Sequence, residues 1–277
     1  MTSPTDTEAD GRIAALKLYG ERNTGTRALA EAIAANFDVP MLRPSARGRI
    51  ATLDAAVQER AGLLARTLPH LRQRIREAVV DEASRPFVTS GFGWKHAAPP
   101  VDVILADARA ATMLFVVVTK HPLFFLKSLH RRPHHDVLLR WPKPSLSRFL
   151  RQPWQPVERD LVGLGRLVSP ADLWTAKARA YRALLDAAPH GLHVRYEDFV
   201  ADYAGTLDRV ADALGRRRRA WTRPDLSTKG DPLGFEDYAG RYRLEDAARG
   251  FSAADLAFLD ARLPDDLVAS FGYALPA

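Results

Sequence analysis

The side chains best placed by type and spacing to do chemistry cluster at Gly20-Glu21-Arg22-Asn23-Thr24-Gly25, which has the spacing G-x-x-x-x-G. This segment separates a short apolar run, Ile13 to Tyr19, from a stretch of helical apolar spacing, Thr26 to Phe37. Where such a loop opens a helix, backbone N–H groups converge on an anion. A strand-to-helix turn that needs glycine only for its backbone angles has the same spacing. The nucleotide-triphosphatase form of the loop carries Lys and then Ser or Thr after its second glycine, for phosphate and Mg²⁺. Thr26 and Arg27 stand there instead, so that magnesium ligand is missing. His130, His134 and His135 are split by Pro133 and have no carboxylate pair nearby, so no metal is expected on them. The run Arg216 to Arg219 follows a predicted helix and reads as a solvated end favoured by the helix dipole. It lacks the interleaved aromatics that grip single strands, and no nucleic acid partner is expected.

These groups need elements to hold them. Ile13 to Tyr19 (IAALKLY) reads as a buried strand, and Thr112 to Thr119 (TMLFVVVT) as a central parallel strand covered on both faces. Between them, Leu53 to Ala83 has helical spacing broken at Pro69, giving two helices in an insertion over about residues 52–85. Phe87 to Trp94 reads as a further strand, ended by HAAPP. Leu123 to Arg131 reads as a short helix, and Arg132 to about Pro156 as a binding loop in which Trp141 and Trp154 either stack on a sugar or pack on the core. Ser169 caps a helix whose first residue is Pro170 and which runs to Ala187. Leu192 to Tyr196 is a strand, Asp202 to Leu214 a helix, and Ser252 caps a terminal helix. This alternation, without a repeat period, predicts an α/β protein: a three-layer α/β/α sandwich around a central parallel sheet. Residues 12–277 are expected to form one domain after a polar tail, 1–11.

Bulk properties narrow the partners. With 277 residues, 47% of them hydrophobic and 26% charged, the chain is neither fibrous nor disordered. A net charge of +7 favours an anionic partner. Having no cysteine, the chain has no disulfide framework and no thiol nucleophile. Its most apolar run, Met113 to Val118, falls far short of the ~20 residues that span a bilayer, and MTSPTDTEAD has no signal-like apolar region. A cytoplasmic protein with no membrane span is the expectation.

Thr24-Gly25-Thr26 beside a cation resembles the 5′-phosphosulfate loop of sulfotransferases that use 3′-phosphoadenosine 5′-phosphosulfate (PAPS). Three further segments extend the resemblance: Lys120-His121-Pro122 with Ser128 after the central strand, Arg195 to Phe199 (RYEDF), and Lys229-Gly230 in a late loop. The resemblance implies the P-loop-like sulfotransferase fold, with PAPS as donor and no metal. It places Arg22, Asn23, Thr24, Gly25, Thr26 and Arg27 on the 5′-phosphosulfate, and Lys120, Ser128, Lys229 and Gly230 on the 3′-phosphate. Tyr196 approaches the adenine. The acceptor would be a hydroxyl of a carbohydrate or small molecule, met by Arg132, His134 and His135. A sulfuryl group carries less charge than a phosphoryl group, so preorganised amides and cations can stabilise its transfer without Mg²⁺. The acceptor must also lose a proton, and His96 in Gly93-Trp94-Lys95-His96 is the candidate base, with Lys95 assisting. Glu21 competes for that role, or else neutralises Arg22. Two alternatives remain: a P-loop kinase-like phosphotransferase, and a non-catalytic nucleotide-binding protein.

Overall fold

The computed structural model describes residues 13–42, 69–88, 92–133, 143–163, 165–216, 220–224 and 233–276. Lys229, Gly230, His134, His135, Trp141, Arg217 to Arg219, the tail 1–11 and the first half of the predicted insertion lie outside the described residues.

Three strands, β1 (Ala15–Tyr19), β2 (Met113–Thr119) and β3 (Gly191–Arg195), form a parallel sheet in the order β1-β2-β3. All seven residues of β2 are buried. Because successive strand side chains point to opposite faces, that run requires cover on both faces of the sheet. The helices supply it, as the sequence pattern predicts. Beyond β1, Leu16 pairs with Met41 in a parallel bridge.

The register positions the site. Tyr19 lies opposite Val117, and Thr119 opposite Arg195, so all three strands end at the same edge of the sheet. The segments that leave those ends are the Gly20 loop, Lys120-His121 and Tyr196. Each opens a helix: α1 (Thr26–Asn36), α4 (Pro122–Arg131) and α7 (Tyr196–Ala201). At α4 the His121 Nδ1 accepts from the Leu123 N–H and Pro122 takes a first-turn position, where its missing N–H costs nothing.

Helix α2 (Pro69–Val88) is the second half of the predicted insertion; α3 (Val101–Leu105) and α5 (Leu146–Leu150) are short. Of the strand expected over Phe87 to Trp94, none of the described residues, 87–88 and 92–94, lies in a strand. Phe87 and Val88 end α2, while Phe92 and Gly93 have φ of 70° and 65°, a left-handed backbone that breaks a strand. The segment mimics a strand in sequence because Phe92 is a core residue packed edge-on against Phe115.

Helix α6 (Pro170–Ala187) begins in a full capping box: the Ser169 hydroxyl accepts from the Ala171 N–H and the Asp172 carboxylate from the Ser169 N–H. Its core stripe carries Leu173, Lys177, Tyr181 and Leu184 at helical spacing, so a lysine occupies a core position. Trp154 is wholly buried, which settles it as a packing residue. Helix α8 (Tyr203–Ala213) starts from an Asp202 cap, α9 (Phe235–Arg241) follows, and α10 (Ala253–Asp260) starts at the Ser252 capping box before α11 (Asp265–Ser270).

Candidate active site

The Gly20 loop closes tightly on itself. Thr24 donates from its hydroxyl to the Glu21 carbonyl at 2.6 Å, Asn23 sits at φ 68° and Gly25 at φ 86°. With Gly25 as the residue before α1, the N–H groups that open that helix have no carbonyl within it. The Tyr196 ring packs directly on Gly25, so close that a Cβ there would fall 2.1 Å from Cδ2 of the ring. Thr26 is buried in the first turn, whereas the Arg27 side chain turns outward to an exposed pair with Glu31. Only the backbone of Arg27 faces the loop's business.

The turn at 93–96 docks on the start of the same loop. The Gly20 N–H donates to the Lys95 carbonyl at 2.9 Å, and His96 Nδ1 lies 2.6 Å from the Gly20 carbonyl. A carbonyl only accepts, so Nδ1 carries the ring proton and Nε2 keeps its lone pair. Burial, reinforced by the Lys95 and Arg22 cations, holds the His96 pKa well below its ordinary value. The ring is therefore neutral near pH 7, the state a general base needs. Lys17 on β1 donates to the Gly93 carbonyl, and burial together with Lys95 pushes its pKa down to about 7.

Arg22 is buried and enclosed. Its Nη1 pairs with Asp160 at 3.0 Å and Glu21 at 3.2 Å, and its guanidinium lies over the Trp94 ring at 4.6 Å. Its Nη2 is buried with no hydrogen-bond partner among the described residues. Burial opposes its charge, but Asp160 and Glu21 outweigh that and raise its pKa. Lys177 completes the cluster, 3.1 Å from Asp160, 3.2 Å from Glu21, and donating to the His96 carbonyl. Glu21 is thus held between two cations, with its Oε1 also accepting from the Arg22 N–H.

At the neighbouring strand end, Lys120 Nζ is buried between the rings of Tyr196 and Tyr242, at 4.1 and 4.2 Å. Trp174 Nε1–H donates to the Lys120 carbonyl, and the Glu197 carboxylate accepts from the His121 N–H and from the Tyr273 hydroxyl. Ser128 is buried on α4. Asn23 reaches the carbonyl of Arg132 just beyond that helix, at 3.4 Å. His130 makes a packing contact, with Nε2 2.8 Å from the Pro144 carbonyl.

No family model matches the chain, and no curated protein matches it. Among solved structures it is similar to a sulfotransferase domain from the curacin biosynthetic pathway. The likeness covers 95% of this chain and 99% of that one, at 11% identity and a TM-score of 0.46.

The structure brings Glu21, Arg22, Lys95 and His96 together around the Gly20 loop, and packs Tyr196 against Gly25 with Lys120 over the Tyr196 ring. Sequence reasoning missed Asp160, Lys177, Arg159 and Tyr242. Only Lys177 leaves a legible signal, a cation on the apolar stripe of an amphipathic helix. No helix among the described residues is long and apolar enough to cross a membrane, and among them no three His, Asp or Glu side chains gather as a metal-ligating group.

Proposed function

We propose that this protein is a sulfotransferase that moves a sulfuryl group from PAPS to the hydroxyl of a carbohydrate or small molecule. The observation that carries this reading is the meeting of two groups on one loop. Arg22 offers a buried Nη2 with no hydrogen-bond partner among the described residues, and His96, bonded to the loop's first glycine, offers an unprotonated Nε2. The loop fits an anionic donor: the N–H groups at its helix start have no helical carbonyl, and Arg22 supplies a fixed positive charge.

In this reading Arg22 and the amides of residues 23 and 25–27, that of Thr24 being spent on the Glu21 carbonyl, take up the negative charge that grows on the departing phosphate oxygen, worth several kcal/mol when preorganised, about 3 per donor. Nε2 of His96 receives the acceptor's proton as the new O–S bond forms. Glu21, already paired with Arg22 and Lys177, holds the cations in place. Lys120 and Ser128 would meet the 3′-phosphate at the adjoining strand end, beside Tyr196.

The test is incubation of the purified protein with ³⁵S-labelled PAPS and a fractionated pool of carbohydrates and small hydroxylated molecules, in EDTA. A labelled product formed together with adenosine 3′,5′-bisphosphate is expected. Transfer from ATP that needs Mg²⁺, with none from PAPS, would return the phosphotransferase reading.

A further inference from the structure

The 3₁₀ turn Glu158–Asp160 holds Arg22 through Asp160 and shares the Trp94 ring with it through Arg159, and nothing in the sequence of the Gly20 loop announces it. Asp160 is fully buried and both oxygens of its carboxylate accept hydrogen bonds. Oδ1 accepts from Arg22 Nη1 at 3.0 Å and Lys177 Nζ at 3.1 Å, while Oδ2 accepts from the Val157 N–H at 3.0 Å. Its carbonyl accepts from the Ala98 N–H at 2.8 Å and from Lys177, which ties the turn to the segment just after His96. The adjacent Arg159 lies over the Trp94 ring at 4.8 Å, the same ring that Arg22 covers at 4.6 Å. Arg159 is itself held by Glu77 and Asp81 of α2, and Asp81 also accepts from the Glu158 N–H at 3.0 Å. The insertion helix therefore braces the turn.

A guanidinium has five N–H donors in one rigid plane. Fixing one edge by a carboxylate and one face by an indole fixes where the remaining edge points. We propose that Asp160 is a positioning residue: by tying Nη1 of Arg22, with Arg159 and Trp94 setting the plane, it reserves Nη2 for the anion in the Gly20 loop. This rests on the sulfotransferase reading for the identity of that anion, but the clamp itself does not.

Two measurements keep those claims separable. In ¹⁵N spectra of ligand-free protein labelled at arginine, the wild type should show separate, slowly exchanging Nη1 and Nη2 signals for Arg22. Asp160→Asn should collapse them into exchange. Should Asp160→Asn fail to fold, Asp160→Asn combined with Lys177→Met removes one buried charge of each sign and should give the same collapse. Unchanged Arg22 signals in a folded variant would overturn the clamp, whatever the protein binds. The second measurement is a double-mutant cycle read by adenosine 3′,5′-bisphosphate binding. Asp160→Asn should weaken it by roughly tenfold, the scale of one lost charge-assisted hydrogen bond, and leave adenosine 3′-monophosphate unaffected. In an Arg22→Ala background the same substitution should do nothing further. An equal loss in both backgrounds, or with both nucleotides, would show that Asp160 acts only on folding. If the wild type binds neither nucleotide while the spectra show the clamp, the donor assignment fails and the positioning role stands.

Discussion

His96 shows how one hydrogen bond can set a residue's chemistry. Its Nδ1–H is committed to the Gly20 carbonyl, so the basic nitrogen is the one turned away from the loop backbone. His96→Ala should lower turnover by roughly 10²–10⁴-fold while donor affinity stays nearly intact, because a base assists only in the transition state. Burial and the neighbouring cations lower its pKa, so the ring stays neutral further into acid. The acid limb of the wild-type rate profile should then lie below the ordinary histidine value of about 6.5, and it should vanish in His96→Ala. Glu21→Gln, by contrast, should weaken donor binding through Arg22, since its carboxylate is spent on Arg22 and Lys177. Abolished turnover in Glu21→Gln with unchanged donor affinity, beside an active His96→Ala, would move the base to Glu21. The two candidates could be read in sequence because both sit next to motif residues. Asp160 could not, since it lies 138 residues from the arginine it holds and carries no motif of its own.

At the scale of elements, the Gly20 loop and α1 depend on a glycine for two separate reasons. Gly25 has φ 86°, which costs another L-residue roughly 1–2 kcal/mol, and the Tyr196 ring fills the space where a Cβ would project. Gly25→Ala should cost at least about 2 kcal/mol in a denaturant titration, more than either effect alone, and should also displace Tyr196 from the loop. Full stability with unchanged nucleotide binding would mean that the loop tolerates another backbone path. Elements built from local signals were legible: the β-branched run of β2, the Ser169-Pro170 start of α6, and the Ser252 cap all match the structure within a residue or two. The strand expected at Phe87 to Trp94 was not, because core burial of Phe92 is achieved there by a turn with positive φ. Hydrophobic pattern records burial, and burial alone does not fix the backbone.

For the whole molecule, three histidines, His121 buried and His96 and His193 part-buried, predict how stability follows pH. His96, His121 and His193 all have lowered pKa values, chiefly from burial, and His193 falls to about 4 beside Arg209. The folded state then binds fewer protons than the unfolded one, so stability present above about pH 6.5 is lost as the pH falls towards 4. His193 alone accounts for on the order of 3 kcal/mol at the acid end, taken from its shift of 6.5 to about 4. Calorimetric Tm should drop across that window, and His193→Gln should flatten the slope; a Tm independent of pH from 7 to 4 would contradict the lowered histidine pKa values. The same scale contains what sequence hid most: the cluster of Glu21, Arg22, Asp160 and Lys177 draws on a loop, a 3₁₀ turn and a helix, and only the folded chain assembles it. In this account that cluster serves the 5′-phosphosulfate of the donor, while Lys120 and Ser128 at the neighbouring strand end take its 3′-phosphate, so a 3′-phosphorylated adenine nucleotide is received without a metal. Calorimetric titration in EDTA tests that most directly. Adenosine 3′,5′-bisphosphate should bind at least tenfold more tightly than adenosine 5′-monophosphate, the discrimination expected of one charge-assisted contact to the 3′-phosphate, roughly 1.5–3 kcal/mol. Equal affinities, or a preference for ATP with Mg²⁺ over the bisphosphate, would contradict it.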